Sequence, residues 1–234
     1  MSDSRVTYEL SESIATITLD DGKVNVLAPV MLSEINAALD QAEADHAVVV
    51  LTGRPGLFSA GFDLKVLNAG GAEAVAMLRA GFELSFRLLS FPTPVVIACP
   101  GHAMAMGSFV LLSADYRIGA SGAFNIRANE VAIGMTMPRA AVEIIRQRLT
   151  PAGFTRATLL AEAFTPESAV TVGFLDRVAA PESVLDEALA LAAQLATLDM
   201  RAHSASKLRA RHDTLAAIRV GIEADMVDLG ERRS

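Results

Sequence analysis

The chain has 234 residues, 52% of them hydrophobic and 20% charged, which suits one to two folded domains with a sizeable core and excludes intrinsic disorder. Its formal charge of -7 argues against a nucleic-acid footprint or an anionic-membrane partner, and the one cysteine, Cys99, excludes a disulfide framework or a cysteine-rich metal site. A reducing, cytoplasmic setting is the expectation, since the N-terminal stretch MSDSRVTYELSES lacks the apolar core of a secretory signal.

In chain order, residues 5–10 and 14–19 concentrate β-branched residues around a short Ser11–Ser13 break, which predicts a hairpin ended by Asp20-Asp21-Gly22. Residues 29–44 place Met31, Leu32, Ile35, Ala38, Leu39 and Ala42 at helical spacing, with Pro29 in the first turn. The all-apolar Val48–Leu51 run predicts a strand covered on both faces. A helix over 72–90 and a second buried strand over 94–99 follow. The span Leu88–Ala114 carries no formal charge, but Pro92, Pro94, Pro100, Gly101 and Gly107 interrupt it, so it reads as strand, tight turn and buried helix (104–113) rather than a membrane span. Strands are expected at 115–119 and 123–126. Beyond Pro138 the pattern turns helical, over 139–149, 151–162, 166–172, 182–197 and 203–228, with one extended piece at Leu175–Ala179. The chain thus divides into an α/β body, residues 1–180, and a helical region, residues 181–234. Strand–turn–helix units recur at Val48–Leu67 and Val95–Leu112, which suits a coiled, repetitive arrangement.

Three segments could carry chemistry. Gly56–Leu64 and Pro100–Gly107 each join a buried strand to a helix through small residues. Two helix N-termini brought together would offer unpaired N–H groups to a developing negative charge, whereas the alternative is ordinary turn chemistry, with Gly61 supplying backbone freedom and Asp63 an N-cap. In the third, Phe124–Pro138, no charge follows Glu130 up to Pro138. That glutamate is either a solvated loop residue or one in a dry pocket, whose raised pKa would suit taking and returning a proton near neutral pH. The four histidines show no metal-ligand spacing, Ser204-Ala205-Ser206-Lys207 matches S-x-x-K without companion motifs, and His102 either packs in its turn or touches substrate.

These segments resemble those of the crotonase family, the enoyl-CoA hydratases and isomerases. Phe58-Ser59-Ala60-Gly61-Phe62-Asp63-Leu64 is similar to its F-S/C-A-G-x-D-L/I turn, and Pro94–Ala103 to its P-V-I/V-A-A-V/I-N-G-x-A strand and turn, with departures at Ile97 and Pro100. Ala114–Ile118 resembles the C-D-x-R-I/V strand. Ser168-Ala169 with Gly173–Asp176 resembles a later family segment, with serine in the acid's place. The resemblance spans nearly the whole chain in the family's order.

The resemblance implies a crotonase-like (ClpP/crotonase) α/β spiral of ββα units with a C-terminal helical region that serves trimerisation, in a homotrimer or dimer of trimers. It also implies a thioester oxyanion held by the backbone N–H groups of Phe62 and Met106, with Glu130 as the acid–base residue. Met106 replaces the middle glycine of the family's Gly-Gly-Gly run, which would narrow or reshape the acyl pocket. Coenzyme A, part of the substrate rather than a cofactor, would be held around Lys23, Val24 and Val26 and around Ala60, Asp63 and Leu64. Arg201, Lys207, Arg209 and Arg211 read as a solvated helix face, with contact to coenzyme phosphates as the alternative. Where the family's hydratases carry a second glutamate, three residues after the second donor, this chain has Phe109. Hydration is served by two carboxylates, whereas moving a double bond needs one base, so the expected reaction is single-base isomerisation of an enoyl-CoA. Hydration, thioester hydrolysis and non-catalytic acyl-CoA binding are the alternatives; Glu83 or Asp63 could stand in for the missing acid. Met104, Met106, Met135 and Met137 are candidates for an adaptable acyl-chain wall.

Overall fold

The computed structural model describes residues 4–231. Strands β1 (Val6–Ser11) and β2 (Ile14–Leu19) form the expected antiparallel hairpin, with Val6 opposite Leu19 and Ser11 opposite Ile14. After the short β3 (Val26–Leu27), helix α1 (Pro29–Ala44) buries the apolar stripe read from its spacing. Strand β4 (Val48–Thr52) is buried throughout, as a strand covered on both faces must be. Next come β5 (Gly56–Ser59), β6 (Gly61–Phe62), α2 (Leu64–Ala69) and α3 (Gly71–Ser90). The pattern then repeats as β7 (Val95–Cys99), β8 (Gly101–Met104) and α4 (Met106–Leu112). Strands β9 (Tyr116–Ala120) and β10 (Ile126–Arg127) lead to a 3-10 turn over Val131–Ile133. The rest is α5 (Arg139–Arg146), α6 (Pro151–Leu160), α7 (Pro166–Val172), β11 (Arg177–Ala179), α8 (Val184–Leu195), α9 (Met200–Ala210) and α10 (His212–Glu231).

The larger sheet has six strands in the order β1-β2-β4-β7-β9-β11, parallel from β2 onward. A second sheet has three strands in the order β10-β8-β5, all parallel. Each ββα unit therefore sends its first strand (β4, β7) into the large sheet and its second (β5, β8) into the small one. This is the coiled arrangement expected from the recurring segments. It corrects the reading of 56–59 and 101–104 as turns, since both are strands. Their glycines allow close sheet approach: a Cβ on Gly101 would run into the backbone of Gly56 and Leu57.

The C-terminal helices lie on the body. Helix α8 packs on β4, β7 and β9, while α10 packs on α5 and α3. Leu215, Ile218, Ile222 and Met226 of α10 belong to the same core as Phe82 and Ile144. The expected helix over 203–228 is two helices, broken at Arg211. Lys207 and Arg211 correct their reading as a solvated face or phosphate contact. The Lys207 ammonium is buried, donating to the carbonyls of Phe91 and Thr93 at 2.9 Å and to Asp115 at 2.6 Å. Arg211 donates to Leu89 O and pairs with the other Asp115 oxygen at 2.9 Å. Both cations cap the end of α3 and the turn into β7. Arg201 and Arg209 remain exposed. Among the described residues no helix is long and apolar enough to cross a membrane.

Candidate active site

The small sheet gathers the three segments singled out from the sequence. Its strands are the starts of those segments, and because all three are parallel, the residues that follow them leave from the same edge. Ser59 and Ile126 flank Ala103 from opposite sides, and the Ala105 N–H donates to Arg127 O at 2.9 Å. Gly61–Phe62, Ala105–Met106 and Asn129–Glu130 all lie just beyond the C-terminal ends of these strands, where open parallel sheets place ligands.

The first two turns touch. Gly61 has φ 91°, and a Cβ added there would lie 2.8 Å from Ala105 Cβ, 2.9 Å from Met104 O and 3.2 Å from the Met106 nitrogen. Ala105 has φ 47° and ψ -126°, a backbone conformation that L residues adopt only where the surroundings enforce it. Met106 follows as the first residue of α4, and its N–H makes no hydrogen bond among the described residues. The side chains of both proposed donors turn into the core. The Phe62 ring meets Phe82 edge-on at 6.2 Å and lies against Gly81, where the Met106 methyl also packs. Met106 is fully buried and, like Met104, does not line the cavity between α3 and the end of α10, which Met135 and Met137 do line.

Glu130 is the buried acid of the third turn, 6% exposed. Its carbonyl accepts the N–H groups of Ile133 and Met135, closing a tight loop in which Gly134 takes the left-handed conformation. One carboxylate oxygen, Oε2, is buried without a partner, as is Oδ1 of Asn129. Burial without a compensating cation pushes the Glu130 pKa up to about 7. The solvated-loop alternative is thereby excluded. Phe109 is buried and stacks on Phe82 at 6.4 Å, so the position of a hydratase's second acid is apolar.

The two possible substitutes for that acid are occupied. Asp63 caps α2, accepting the Lys65 N–H at 2.8 Å, and Glu83 is ion-paired with Arg219 of α10. His102 packs in its turn: Nδ1 accepts the Asn125 N–H at 3.0 Å and the ring meets Phe124 edge-on.

The segments assigned to coenzyme A are adjacent. The Ala60 N–H donates to Val24 O at 3.0 Å, and β3 pairs with β6, Val26 opposite Gly61. The fully buried Asn25 pins the loop, donating from Nδ2 to Leu19 O and Phe58 O. Asp21 collects the N–H groups of Lys23, Asn25 and Val26. Burial raises its pKa, but these three bonds outweigh that and hold it below the usual carboxylate range. Lys23, Val24 and Leu64 stay exposed.

Sequence reasoning missed Asp225. From α10 it accepts the N–H groups of Arg139 and Ala140, supplying the N-cap that Pro138 cannot give α5. The signal was a helix start without a capping side chain of its own.

This fold and these turns define a crotonase. Residues 9–227 match the Enoyl-CoA hydratase/isomerase family model, and the chain belongs to that family. It is 50% identical to an enoyl-CoA hydratase from Mycobacterium marinum, covering 96% of this chain and 99% of that one with a TM-score of 0.93. An enoyl-CoA isomerase structure from Mycobacterium tuberculosis is also 50% identical, over 96% and 98%, with a TM-score of 0.92. The human mitochondrial delta3-delta2-enoyl-CoA isomerase is 30% identical over 96% and 90%, with a TM-score of 0.90. The protein is therefore an enzyme of the hydratase/isomerase type, and its neighbours carry both names.

Proposed function

We propose that the protein isomerises 3-enoyl-CoA thioesters to 2-enoyl-CoA with Glu130 as the only base. The Glu130 carboxylate takes a proton from C2 of the acyl group. The electron pair moves into a dienolate, whose oxygen accepts the N–H groups of Phe62 and Met106. The protonated Glu130 then returns the proton at C4, leaving the double bond between C2 and C3. Atoms and electrons balance within substrate and protein, and no cofactor is needed beyond the coenzyme A that the substrate carries.

The observation that supports this most is the pairing of a buried, unpaired Glu130, with a pKa near 7, and an apolar Phe109 where a second acid would activate water. A carboxyl group of that pKa can both accept and return a proton at neutral pH. Hydration would require water to be activated beside Phe82 and Phe109, with Asp63 and Glu83 already committed elsewhere. Coenzyme A would lie along Lys23, Val24 and Val26 and the turn Ala60, Asp63 and Leu64. Homotrimeric or hexameric assembly is part of the same proposal and is read by light scattering.

Supplying 3-enoyl-CoA, 2-enoyl-CoA and saturated acyl-CoA separately tests the reading. It predicts 2-enoyl-CoA from the first, only the reverse isomerisation of the second and no product from the saturated thioester. 3-Hydroxyacyl-CoA or free coenzyme A as the main product would replace it with hydration or hydrolysis.

A further inference from the structure

Both backbone polar groups of the strained Ala105, at φ 47° and ψ -126°, are committed. Its N–H donates to Arg127 O at 2.9 Å. Its carbonyl oxygen accepts three groups of α4: the Ser108 N–H at 2.8 Å, the Phe109 N–H at 3.3 Å and the Ser108 hydroxyl at 2.7 Å. A carbonyl has two lone pairs, so three donors over-determine its direction, which is the condition under which a strained backbone persists. Ser108 is fully buried, and its hydroxyl is the one side-chain donor to that oxygen among the described residues. The peptide bond from Ala105 to Met106 is planar and trans, so its C=O and N–H point in opposite directions. Fastening the oxygen into the first turn of α4 therefore aims the Met106 N–H the other way, out of the helix. Gly61 approaches that nitrogen closely: a Cβ added there would stand 3.2 Å from it.

We infer that Ser108 is a positioning residue: its hydroxyl holds the Ala105–Met106 peptide against a flip and so keeps the Met106 N–H aimed at the thioester oxygen. The inference rests on the two-amide site proposed above and names the group that keeps one of those amides in place. A flipped peptide would present a carbonyl oxygen where the enolate oxygen needs a donor, turning stabilisation into repulsion. The first turn is pinned differently. Ser59 Oγ accepts the Gly61 N–H at 3.1 Å, one peptide before the Phe62 amide. Ser108 thus acts on an oxyanion peptide directly, through that peptide's own oxygen.

The experiment is infrared spectroscopy of a saturated acyl-CoA, labelled with carbon-13 at the thioester carbonyl and bound to the protein; it needs no turnover. Donors aimed at that oxygen weaken the C=O bond, so the wild type should lower its stretching frequency below the value in water. Ser108→Ala leaves Ala105 O with two N–H donors and adds no bulk, so the fold holds. It should lose about half of the shift, one of two donors being misaimed, and kcat with 3-enoyl-CoA should fall about tenfold at nearly constant KM. Ser113→Ala is the control. Ser113 is equally buried, and its hydroxyl donates to Phe109 O at 2.7 Å at the other end of α4. That variant should keep the full shift and kcat. An undiminished shift in folded Ser108→Ala, an equal loss in Ser113→Ala, or no shift in the wild type overturns the inference. A shift that depends on Ser108 in a protein that forms no 2-enoyl-CoA would instead reject the reaction proposed above and leave the positioning role standing.

Discussion

Gly61 and Ala105 meet back to back: a single methyl group on Gly61 would stand 2.8 Å from the Ala105 Cβ. The two turns proposed to hold the oxyanion come together only because one residue has no side chain and the other has the smallest. Gly61→Ala would force that contact on a residue at φ 91°, a strain costing about 1–3 kcal/mol before the clash is relieved. The Met106 N–H would move with Ala105. The expected result is a fall in kcat/KM of about 100-fold, as small misplacements in active sites produce, measured with 3-enoyl-CoA.

Glu130→Gln should uncouple activity from stability in opposite directions. Turnover should fall by about 10²–10⁴-fold, the usual contribution of a general base, while acyl-CoA affinity stays nearly unchanged. The native pKa, near 7, is raised above the unfolded value, so the folded state holds the proton more tightly. The stability this brings is full below about pH 4.3 and is lost as pH rises toward 7, on the order of 3 kcal/mol in all. The amide never ionises. Glu130→Gln should therefore melt higher than the wild type at pH 8 and at a similar temperature near pH 4.5, as read by thermal denaturation. A lower melting temperature at pH 8 would contradict the unpaired burial.

Phe109→Glu tests whether the missing acid alone separates the two reactions. The new carboxyl group would face Phe82 without a cation, and its pKa would rise as that of Glu130 does. The variant should lose stability by about 3 kcal/mol or more, as for lost aromatic packing in cores, and gain little hydration at pH 7. Formation of 3-hydroxyacyl-CoA from 2-enoyl-CoA measures it.

Lys207→Met should act through stability alone. Removing the ammonium leaves Asp115 with Arg211 as its one cation beside the Val95 N–H, and orphans the carbonyls of Phe91 and Thr93. Breaking such a buried pair costs about 3–5 kcal/mol. Urea denaturation should show that loss, with kcat/KM per folded molecule unchanged.

The elements legible in the sequence were those with strong local pattern. The β1–β2 hairpin, α1, β4 and β7 follow from β-branched runs, helical spacing and unbroken apolar stretches, and the structure places them within a residue or two. Strands β5 and β8 were not legible as strands. Each has four residues, the first a glycine, and each is held by a partner over 40 residues away. The three chemistry-bearing segments were recognised by motif, but that they form one parallel sheet is a long-range fact no local pattern carries. The basic stretch failed for a related reason: spacing puts Lys207 on a helix face but cannot show that Asp115 lies beneath it. Asp225 was silent because its role is to cap a helix some 85 residues earlier.

The most direct measurement of the central claim is the pH dependence of 3-enoyl-CoA conversion, followed by NMR, in the wild type and in Glu130→Gln. The expected profile is 2-enoyl-CoA formation whose kcat/KM falls about tenfold per pH unit below the Glu130 pKa near 7, levels off above it, and vanishes in the variant. A flat profile from pH 5 to 8, or a variant that turns over like the wild type, would remove Glu130 from the reaction.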